Sequence, residues 1–223
     1  MEFILQDLDA RKSELDEYLK LIEFLDINDL ITGERGDNFE VSSLLIKTIK
    51  GSVYLLLYSL VESTMREAVL AIHDNIASSS SAFDDLREEL QLKILSRSRR
   101  DGISIQKLLA GTDGNVRLKL HRATLDSKNL FSGNIDRKEI KSVAETYGFS
   151  YRTDYSTTGH GEQLDTVKIN RNNLAHGNKT FSGVGGETSV AELRVFSEKV
   201  ILYIYEISDN IIDSLESKLY LRG

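Results

Sequence analysis

The residues best suited to chemistry lie close together at residues 171–177, which read R-N-N-L-A-H-G. The neutral imidazole of His176 can take up a proton near pH 7, and its protonated form can return one. The guanidinium of Arg171 can hold a phosphate group through paired hydrogen bonds and stabilise the charge that builds on it. These two roles suffice for RNA cleavage without a metal ion, because the ribose 2′-hydroxyl supplies the nucleophile.

The spacing of the two residues also admits a structural interpretation. A histidine followed by glycine is common at a helix C-terminus, where it complements the helix dipole, and Arg171 could pair with an acidic residue of the first helix. Five residues along a helix turn by about 500°, roughly 140° beyond one full turn. Arg171 and His176 therefore share a face only if the helix ends near Ala175, and Gly177 predicts that end.

The sequence contains no motif for the other common kinds of catalytic or cofactor site. The sequence contains four histidines and no cysteine. It has no H-E-x-x-H pair, phosphate-binding glycine loop, dinucleotide fingerprint or nucleophile elbow. We therefore predict no metal and no cofactor. A looser arginine–histidine pair, Arg66 and His73, falls inside a predicted core helix, so we expect it to be structural. Glu62, four residues before Arg66, is expected to form a buried ion pair with it and not to act as a catalytic acid.

The charge of the chain is unevenly distributed around a net value of −7. Residues 1–30 are strongly acidic, whereas residues 93–122 carry eight basic residues against two acidic ones. An acidic protein can still focus a positive field on one face. We expect the basic residues Arg97, Arg99 and Arg100 to guide RNA through phosphate contacts, although a solvated helix end fits them equally well.

Apolar periodicity predicts an all-α protein. Steps of three and four residues recur along the chain, proline is absent, and strand-like alternation of useful length is missing. We predict an antiparallel bundle of four principal helices in one domain, residues 1–223, with a helical and irregular insertion at 98–161. The predicted helices span residues 2–27, 40–77, 83–97, 136–147, 163–176 and 189–219. Asp136 is expected to cap the fourth of these helices, and Ser189 and Glu192 have the spacing of a capping box at the start of the last one. The apolar residues of that last helix, from Leu193 to Leu215, form a regular seam with steps of three and four. The Gly-rich stretch at 178–187 is predicted to be a loop.

The expected compartment is the cytoplasm. No secretory signal is visible at the N-terminus. The most apolar run, residues 51–61, is too short to cross a membrane, which takes about 20 apolar residues. We therefore predict a core helix in that region and no membrane association.

The motif resembles the R-x4-6-H signature of the HEPN superfamily, in which a polar residue such as Asn172 often follows the arginine. The resemblance extends in the same order through residues 58–66, the helix end at residues 147–149, the motif and the closing helix. It covers about residues 40–219 and is similar to one prokaryotic, defence-associated HEPN family.

The resemblance implies a function and an assembly. Many HEPN proteins are metal-independent endoribonucleases of toxin–antitoxin, abortive-infection and other antiviral systems. By that resemblance Arg171 and His176 are the catalytic pair and Asn172 supports them. In-line cleavage, which leaves 2′,3′-cyclic phosphate and 5′-hydroxyl ends, benefits from groups on both sides of the phosphate. We therefore expect a homodimer with its motifs face to face, and an antitoxin or defence protein as a possible partner.

A second class of function stays open at this point. Some HEPN proteins are inactive and serve as non-catalytic interaction or dimerisation modules within a larger complex. The acidic first helix could bind a basic antitoxin, although a solvated face is the simpler interpretation. RNA cleavage separates the two classes.

Overall fold

The computed structural model describes residues 2–79, 81–100, 131 and 134–222. The fold is all-α, as predicted, with one two-stranded hairpin of β1 (Leu30–Thr32) and β2 (Asn38–Glu40) after the first helix. The α-helices are α1 (Glu2–Asp26), α2 (Ser43–Ser78), α3 (Glu88–Arg100), α4 (Arg137–Tyr147), α5 (Tyr155–Thr158), α6 (Glu162–Ala175), α7 (Phe181–Gly185) and α8 (Val190–Glu216).

Helix α2 is the centre of the core. The hydroxyl of Ser42 caps its N-terminus by accepting the backbone N–H of Leu45, and buried side chains follow on several faces. Helices α1, α6, α7 and α8 all pack against it. A helix that is apolar around most of its circumference must be covered in this way.

By length and composition, α2 could also cross a membrane. Its most apolar 18-residue window has a mean hydropathy of 1.5, and half of that window is buried in the fold. The core helix of a water-soluble protein has the same properties. The cytoplasmic location stays a prediction.

Side-chain contacts define the directions of the long helices. Asp7 and Tyr18 of α1 contact Ser63 and Ser52 of α2, in reverse order along the two helices. Arg194, early in α8, pairs with Glu23 late in α1. Helix α1 is therefore antiparallel to both α2 and α8, as the bundle requires.

Helices α2 and α8 run in the same direction. Lys50 of α2 donates a hydrogen bond to the carbonyl of Thr188, just before α8, and Tyr220, after α8, donates one to Asn75 at 2.7 Å. The capping box predicted at the start of α8 is present, because the Ser189 and Glu192 side chains each bond the backbone of the other. The motif helix α6 and the residues after it return the chain to the end of the bundle where α8 begins.

The segment that leads into α4 runs along the motif helix. Asn134 accepts a hydrogen bond from Asn172, and Asp136 accepts one from Lys168, one turn earlier on α6. Arg137 then lies 3.4 Å from Asp165, another turn back. This ladder fixes α6 against the segment that leads into α4.

Asp136 has two structural roles that substitution can separate. Its carboxylate caps α4 by accepting the Glu139 N–H at 2.9 Å, as the sequence predicted, and it also binds Lys168. Burial by itself raises the pKa of Asp136, but these hydrogen bonds outweigh burial and hold that pKa below its ordinary value. The stabilisation is therefore present above the unfolded pKa near 4 and is lost as the pH falls through the lower folded pKa.

We expect Asp136→Ala to be less stable than Asp136→Asn by about 1 kcal/mol, because asparagine keeps an acceptor for the helix cap. We also expect the advantage of the wild type over Asp136→Asn to be present at pH 7 and to shrink at pH 3. Urea unfolding at both pH values measures both effects. An advantage that is unchanged at pH 3 would contradict the ionic role of Asp136.

Several element boundaries differ from the predictions. Helix α3 continues through Arg100, so the basic segment does not end it at 97. The stretch predicted to be a loop at 178–187 contains α7, capped by Thr180, and the irregular stretch at 150–161 contains α5. Glycine-rich and polar composition favours a loop locally, but packing on α2 and α8 makes these short helices stable.

The structure describes only part of the predicted insertion at residues 98–161. Residues 101–130, 132 and 133 of it lie outside the described residues. The described part adds buried apolar side chains to the common core, including Ile140, Val143 and Tyr147. Whether 98–161 is an insertion within a single domain stays a prediction.

Candidate functional site

The motif helix ends where the sequence predicted. Helix α6 closes at Ala175, His176 is its C-cap residue, and Gly177 adopts φ +69°. The N–H groups of Gly177 and Asn178 bond the carbonyls of Leu174 and Asn173 at 3.2 and 2.8 Å. These two bonds form a Schellman motif, which fixes the backbone on which His176 sits.

Arg171 is held from two directions. Its guanidinium carbon lies 4.4 Å from the centre of the Tyr58 ring, within the range of a cation–π interaction. Its Nη1 donates to Asn172 Oδ1 at 2.7 Å, and Asn172 Nδ2 donates to Asn134 Oδ1 at 2.8 Å. Asn172 thus orients the arginine through its own anchored amide.

Tyr58 is a site residue that the sequence did not single out as a partner of Arg171. Its ring is buried, and its hydroxyl accepts the N–H of Ile135 at 3.3 Å. Burial raises the pKa of this phenol, so the ring presents a neutral face to the guanidinium. Tyr58 belongs to the stretch at 58–66 through which the resemblance to the HEPN superfamily extends. That resemblance is the feature of the sequence that could have pointed to Tyr58 as a site residue.

His176 is exposed, and its imidazole makes no hydrogen bond or ion pair with any described residue. Helical geometry places it roughly 140° around the axis from Arg171, so the end of the helix at Ala175 does not by itself bring the two side chains to one face. Within one chain the two side chains therefore leave the helix end in different directions. A C-cap histidine still complements the helix dipole, so the structural interpretation and a free catalytic imidazole are both compatible with this placement.

The match to known families covers nearly the whole chain. Residues 1–220 match the family described as HEPN_MAE_28990-like HEPN. The chain belongs to this HEPN family. No curated protein and no solved structure gave a match.

A groove of about 240 Å³ opens beside Arg171 of the HEPN motif. Two further arginines, Arg11 and Arg66, line it together with Tyr58 and Glu62. Guanidinium groups close together can hold the non-bridging oxygens of a phosphate. His176 does not line this groove, so one chain brings Arg171 to it without the histidine.

The pair of Glu62 and Arg66 is formed, but it is not buried as predicted. The two side chains meet at 3.2 Å while keeping 25% and 43% of their surface exposed. They face the groove because this side of α2 is left open between α1 and α6. Arg171 forms no ion pair with any described residue. The arginine that pairs with acidic residues of α1 is instead the partly buried Arg194, which contacts Asp16 and Glu23.

The three basic residues expected to guide RNA lie in the last turn of α3. The structure describes none of the side chains of Arg97, Arg99 and Arg100. Their role in RNA binding stays a prediction.

The remaining histidines divide into three cases. His73 is buried and lies 2.7 Å from the Tyr147 hydroxyl, which confirms its expected place in the core. His160 lines a separate pocket, and His121 lies outside the described residues. No group of three His, Asp or Glu residues could hold a metal ion within the part of the chain that the structure describes.

Proposed function

We propose that this HEPN protein is a metal-independent endoribonuclease. The observation that carries the proposal is the placement, at one fixed helix end, of an anchored Arg171 and an exposed His176 that has no hydrogen bond or ion pair among the described residues. An arginine held by Tyr58 and Asn172 loses little freedom when it binds a phosphate. A histidine without a protein partner is available to exchange protons with a substrate.

The proposed reaction is transfer of the phosphoryl group to the neighbouring ribose oxygen. His176 removes the proton of the 2′-hydroxyl, and the 2′-oxygen attacks the phosphorus in line. The bond to the 5′-oxygen breaks, and that oxygen takes a proton from an imidazolium. Arg171 holds the non-bridging oxygens while negative charge builds on them. The products carry a 2′,3′-cyclic phosphate and a 5′-hydroxyl.

The reaction needs an acid and a base on opposite sides of the phosphate, and each chain supplies one motif histidine. We therefore propose a two-fold dimer in which the histidine of one subunit acts as base and that of the other as acid. Ile169 supports this arrangement, because it lies two helical turns before His176 and so on the same face of α6. Its side chain is 54% exposed, which leaves an apolar group beside the motif for a second copy to cover.

We expect Ile169→Glu to weaken the dimer by at least about 100-fold in Kd, because two carboxylates would face each other across the axis. Analytical ultracentrifugation of the variant and the wild type measures the change. The matched control is Leu21→Glu, which places the same charge at a similarly exposed leucine of α1. If both variants sediment like the wild type, the motif face is not the dimer interface.

The chemistry is tested with an RNA oligonucleotide and the same strand carrying one 2′-deoxy sugar at the cleavage position. We expect the wild-type protein to cut the first strand in the presence of EDTA and to leave that position of the second intact. Cleavage at the deoxy position would overturn attack by the 2′-oxygen. If the protein leaves RNA intact while it still forms complexes with another protein, it is a non-catalytic interaction module instead.

The biological setting of the proposed activity is a toxin or abortive-infection effector of prokaryotic antiviral defence, balanced by an antitoxin or a partner of a defence system. Support for this setting comes from membership of the HEPN family. Growth arrest on expression, relieved by Arg171→Ala, tests it. Growth arrest that persists with the Arg171→Ala variant would show that toxicity does not depend on the proposed site.

A further inference from the structure

Three arginines reach the groove beside the motif helix from three different helices. Arg11 lies on α1, Arg66 on α2 and Arg171 on α6, and all three line the cavity of about 240 Å³. The proposed reaction uses only Arg171. The other two arginines therefore have a place in the groove that the catalytic pair does not explain.

A polar stripe on α2 forms one wall of this groove. Ser59, Glu62, Ser63 and Arg66 recur at steps of three and four residues, so they share one face of a helix that is otherwise largely apolar. Two of them bond α1, since Ser63 donates to Asp7 at 3.0 Å and Ser59 accepts from Arg11 at 3.4 Å. The stripe thus fixes α1 on α2 at Arg11, which a merely solvated helix face does not require.

Arg11 is oriented by these contacts and still has a free donor. Its Nε donates to Asp7 Oδ2 at 2.8 Å, and its Nη1 donates to Ser59. The hydrogen bond from Arg11 is the largest of the effects that hold the pKa of the Asp7 carboxyl below its ordinary value, so this carboxylate is ionised at neutral pH. Within the part of the chain that the structure describes, Nη2 of Arg11 has no acceptor and is available to a ligand.

Arg66 is held more loosely, on the neighbouring turns of α2. Its Nη2 donates to Glu62 Oε1 at 3.2 Å, and 43% of its side chain is exposed. Its Nε and Nη1 find no acceptor among the described residues. An exposed pair of this kind contributes little to stability, so it can rearrange when an anion binds.

The lining of the groove has an excess of positive charge. Three guanidiniums face one carboxylate, that of Glu62, while Asp7 stands outside the lining as the partner of Arg11. In a chain with a net charge of −7, such a cluster focuses a local positive potential. The groove therefore favours an anionic ligand.

The size of the groove fits one part of a longer molecule. Its volume of about 240 Å³ lies below the roughly 300–1,000 Å³ of pockets that enclose small-molecule ligands. A phosphodiester group carries one negative charge and two non-bridging oxygens, which suit a pair of guanidiniums. Because Arg171 is assigned to the cleaved phosphate, a phosphate bound beside it belongs to a neighbouring nucleotide of the same strand.

We propose that Arg11 and Arg66 form a second phosphate subsite, which binds the RNA backbone at the phosphate next to the one that is cleaved. The inference rests on the proposed function, because Arg171 marks the position of the cleaved phosphate. Arg11 and Arg66 are positioning residues. They contact a phosphate that does not react, so they bind the substrate and the transition state equally well, and their loss raises KM without lowering kcat.

Steady-state cleavage tests the subsite with a 2′-O-methyl RNA strand that keeps one 2′-hydroxyl, so that only one phosphate can be cleaved. We expect Arg11→Gln/Arg66→Gln to raise KM at least about 10-fold and to change kcat by less than about 2-fold. The matched control, Arg35→Gln/Arg222→Gln, removes two exposed arginines whose side chains bond no described residue. It should keep the wild-type KM, and circular dichroism checks the fold of both proteins.

A change in the RNA tests the same subsite in the wild-type chain, without any substitution in the protein. An uncharged methylphosphonate replaces the phosphate on one side or the other of the cleavable one. We expect the replacement on one of these sides to raise the wild-type KM and to have no further effect on Arg11→Gln/Arg66→Gln, because that variant has already lost the contact.

Three results would overturn the proposal. An unchanged KM in a folded Arg11→Gln/Arg66→Gln protein would remove the subsite, and so would a methylphosphonate effect that is equally large in the variant and the wild type. A fall in kcat at constant KM would show that the two arginines act in the reaction and not in positioning.

Binding of a fully 2′-O-methylated strand, measured by fluorescence anisotropy, separates this proposal from the proposed function. If the strand binds through Arg11 and Arg66 but unmodified RNA is never cleaved, the subsite stands and the ribonuclease proposal fails. A Kd that is equal in Arg11→Gln/Arg66→Gln and in the control variant would overturn the subsite whether or not RNA is cleaved.

Discussion

His176→Ala is expected to lower the rate of RNA cleavage by about 10²- to 10⁴-fold, the usual contribution of a general acid or base. The loss should fall on kcat, because an exposed imidazole that exchanges a proton in the transition state adds little to ground-state binding. The fold should be unchanged, since the His176 side chain contacts no described residue through a hydrogen bond or ion pair. Single-turnover cleavage, with circular dichroism beside it, measures both.

The matched control is Asn178→Ala, two residues further along the same turn, where the side chain is exposed. Its backbone closes the Schellman motif and is unaffected by the substitution. We expect this variant to cleave RNA at the wild-type rate. An equal loss in both variants would assign the effect to the turn and not to the imidazole.

Arg171→Ala should cost about 10²- to 10³-fold, as the loss of a group that stabilises charge in the transition state does. Arg171→Lys should not restore the rate, because an ammonium cannot reproduce the paired hydrogen bonds or the stacking on Tyr58. If lysine restored activity fully, Arg171 would act as a charge alone.

Gly185→Ala is expected to be the most destabilising small substitution in the motif region. A Cβ at Gly185 would lie 1.9 Å from the Lys47 carbonyl oxygen of α2, and Gly51 makes the reciprocal approach, 2.2 Å from the carbonyl oxygen of Phe181. Backbone atoms cannot move aside as a flexible side chain can, so α7 must separate from α2. We expect a cost of about 3 kcal/mol.

Thermal unfolding measures this cost as a Tm lower by about 6–12 °C for a protein of this size. The control is Gly33→Ala in the β1–β2 turn, where the added Cβ would lie 3.7 Å from the nearest atom, the Asp37 carbonyl oxygen. It should change the free energy of unfolding by about 0.5 kcal/mol or less. A Gly185→Ala protein with the wild-type Tm would contradict the close approach of α7 to α2.

This contact matters for the site because α7 follows the motif turn after only a few residues. The chain is therefore fixed on both sides of His176. After His176, α7 packs on α2, and before it, Arg171 contacts the ring of Tyr58. A helix of five residues is not stable by itself. Its formation depends on the two glycines, Gly51 and Gly185, that let the backbones meet.

Local patterns explain what the sequence predicted correctly. The seam of α8, the capping box at Ser189, the cap at Asp136 and the stop at Gly177 each depend on residues within a few positions of one another. Such signals are read directly from spacing. The fold class and the end of the motif helix followed from them.

Contacts between distant residues explain what the sequence did not predict. Tyr58 lies under Arg171 and Asn134 holds Asn172, yet each pair is far apart in the chain. Helix α7 was predicted to be a loop because its glycines are unfavourable in an isolated helix, and the packing that favours them is visible only in three dimensions. The open position of Glu62 likewise depends on how α1 and α6 flank α2.

The most direct measurement of the proposed function is the chemistry of the RNA ends produced in EDTA. Wild-type protein should leave 2′,3′-cyclic phosphate and 5′-hydroxyl ends, and His176→Ala, at the same protein concentration, should leave the RNA intact over the same time. Products with 3′-hydroxyl and 5′-phosphate ends, or cyclic phosphate ends formed equally by His176→Ala, would contradict cleavage by the Arg171–His176 motif.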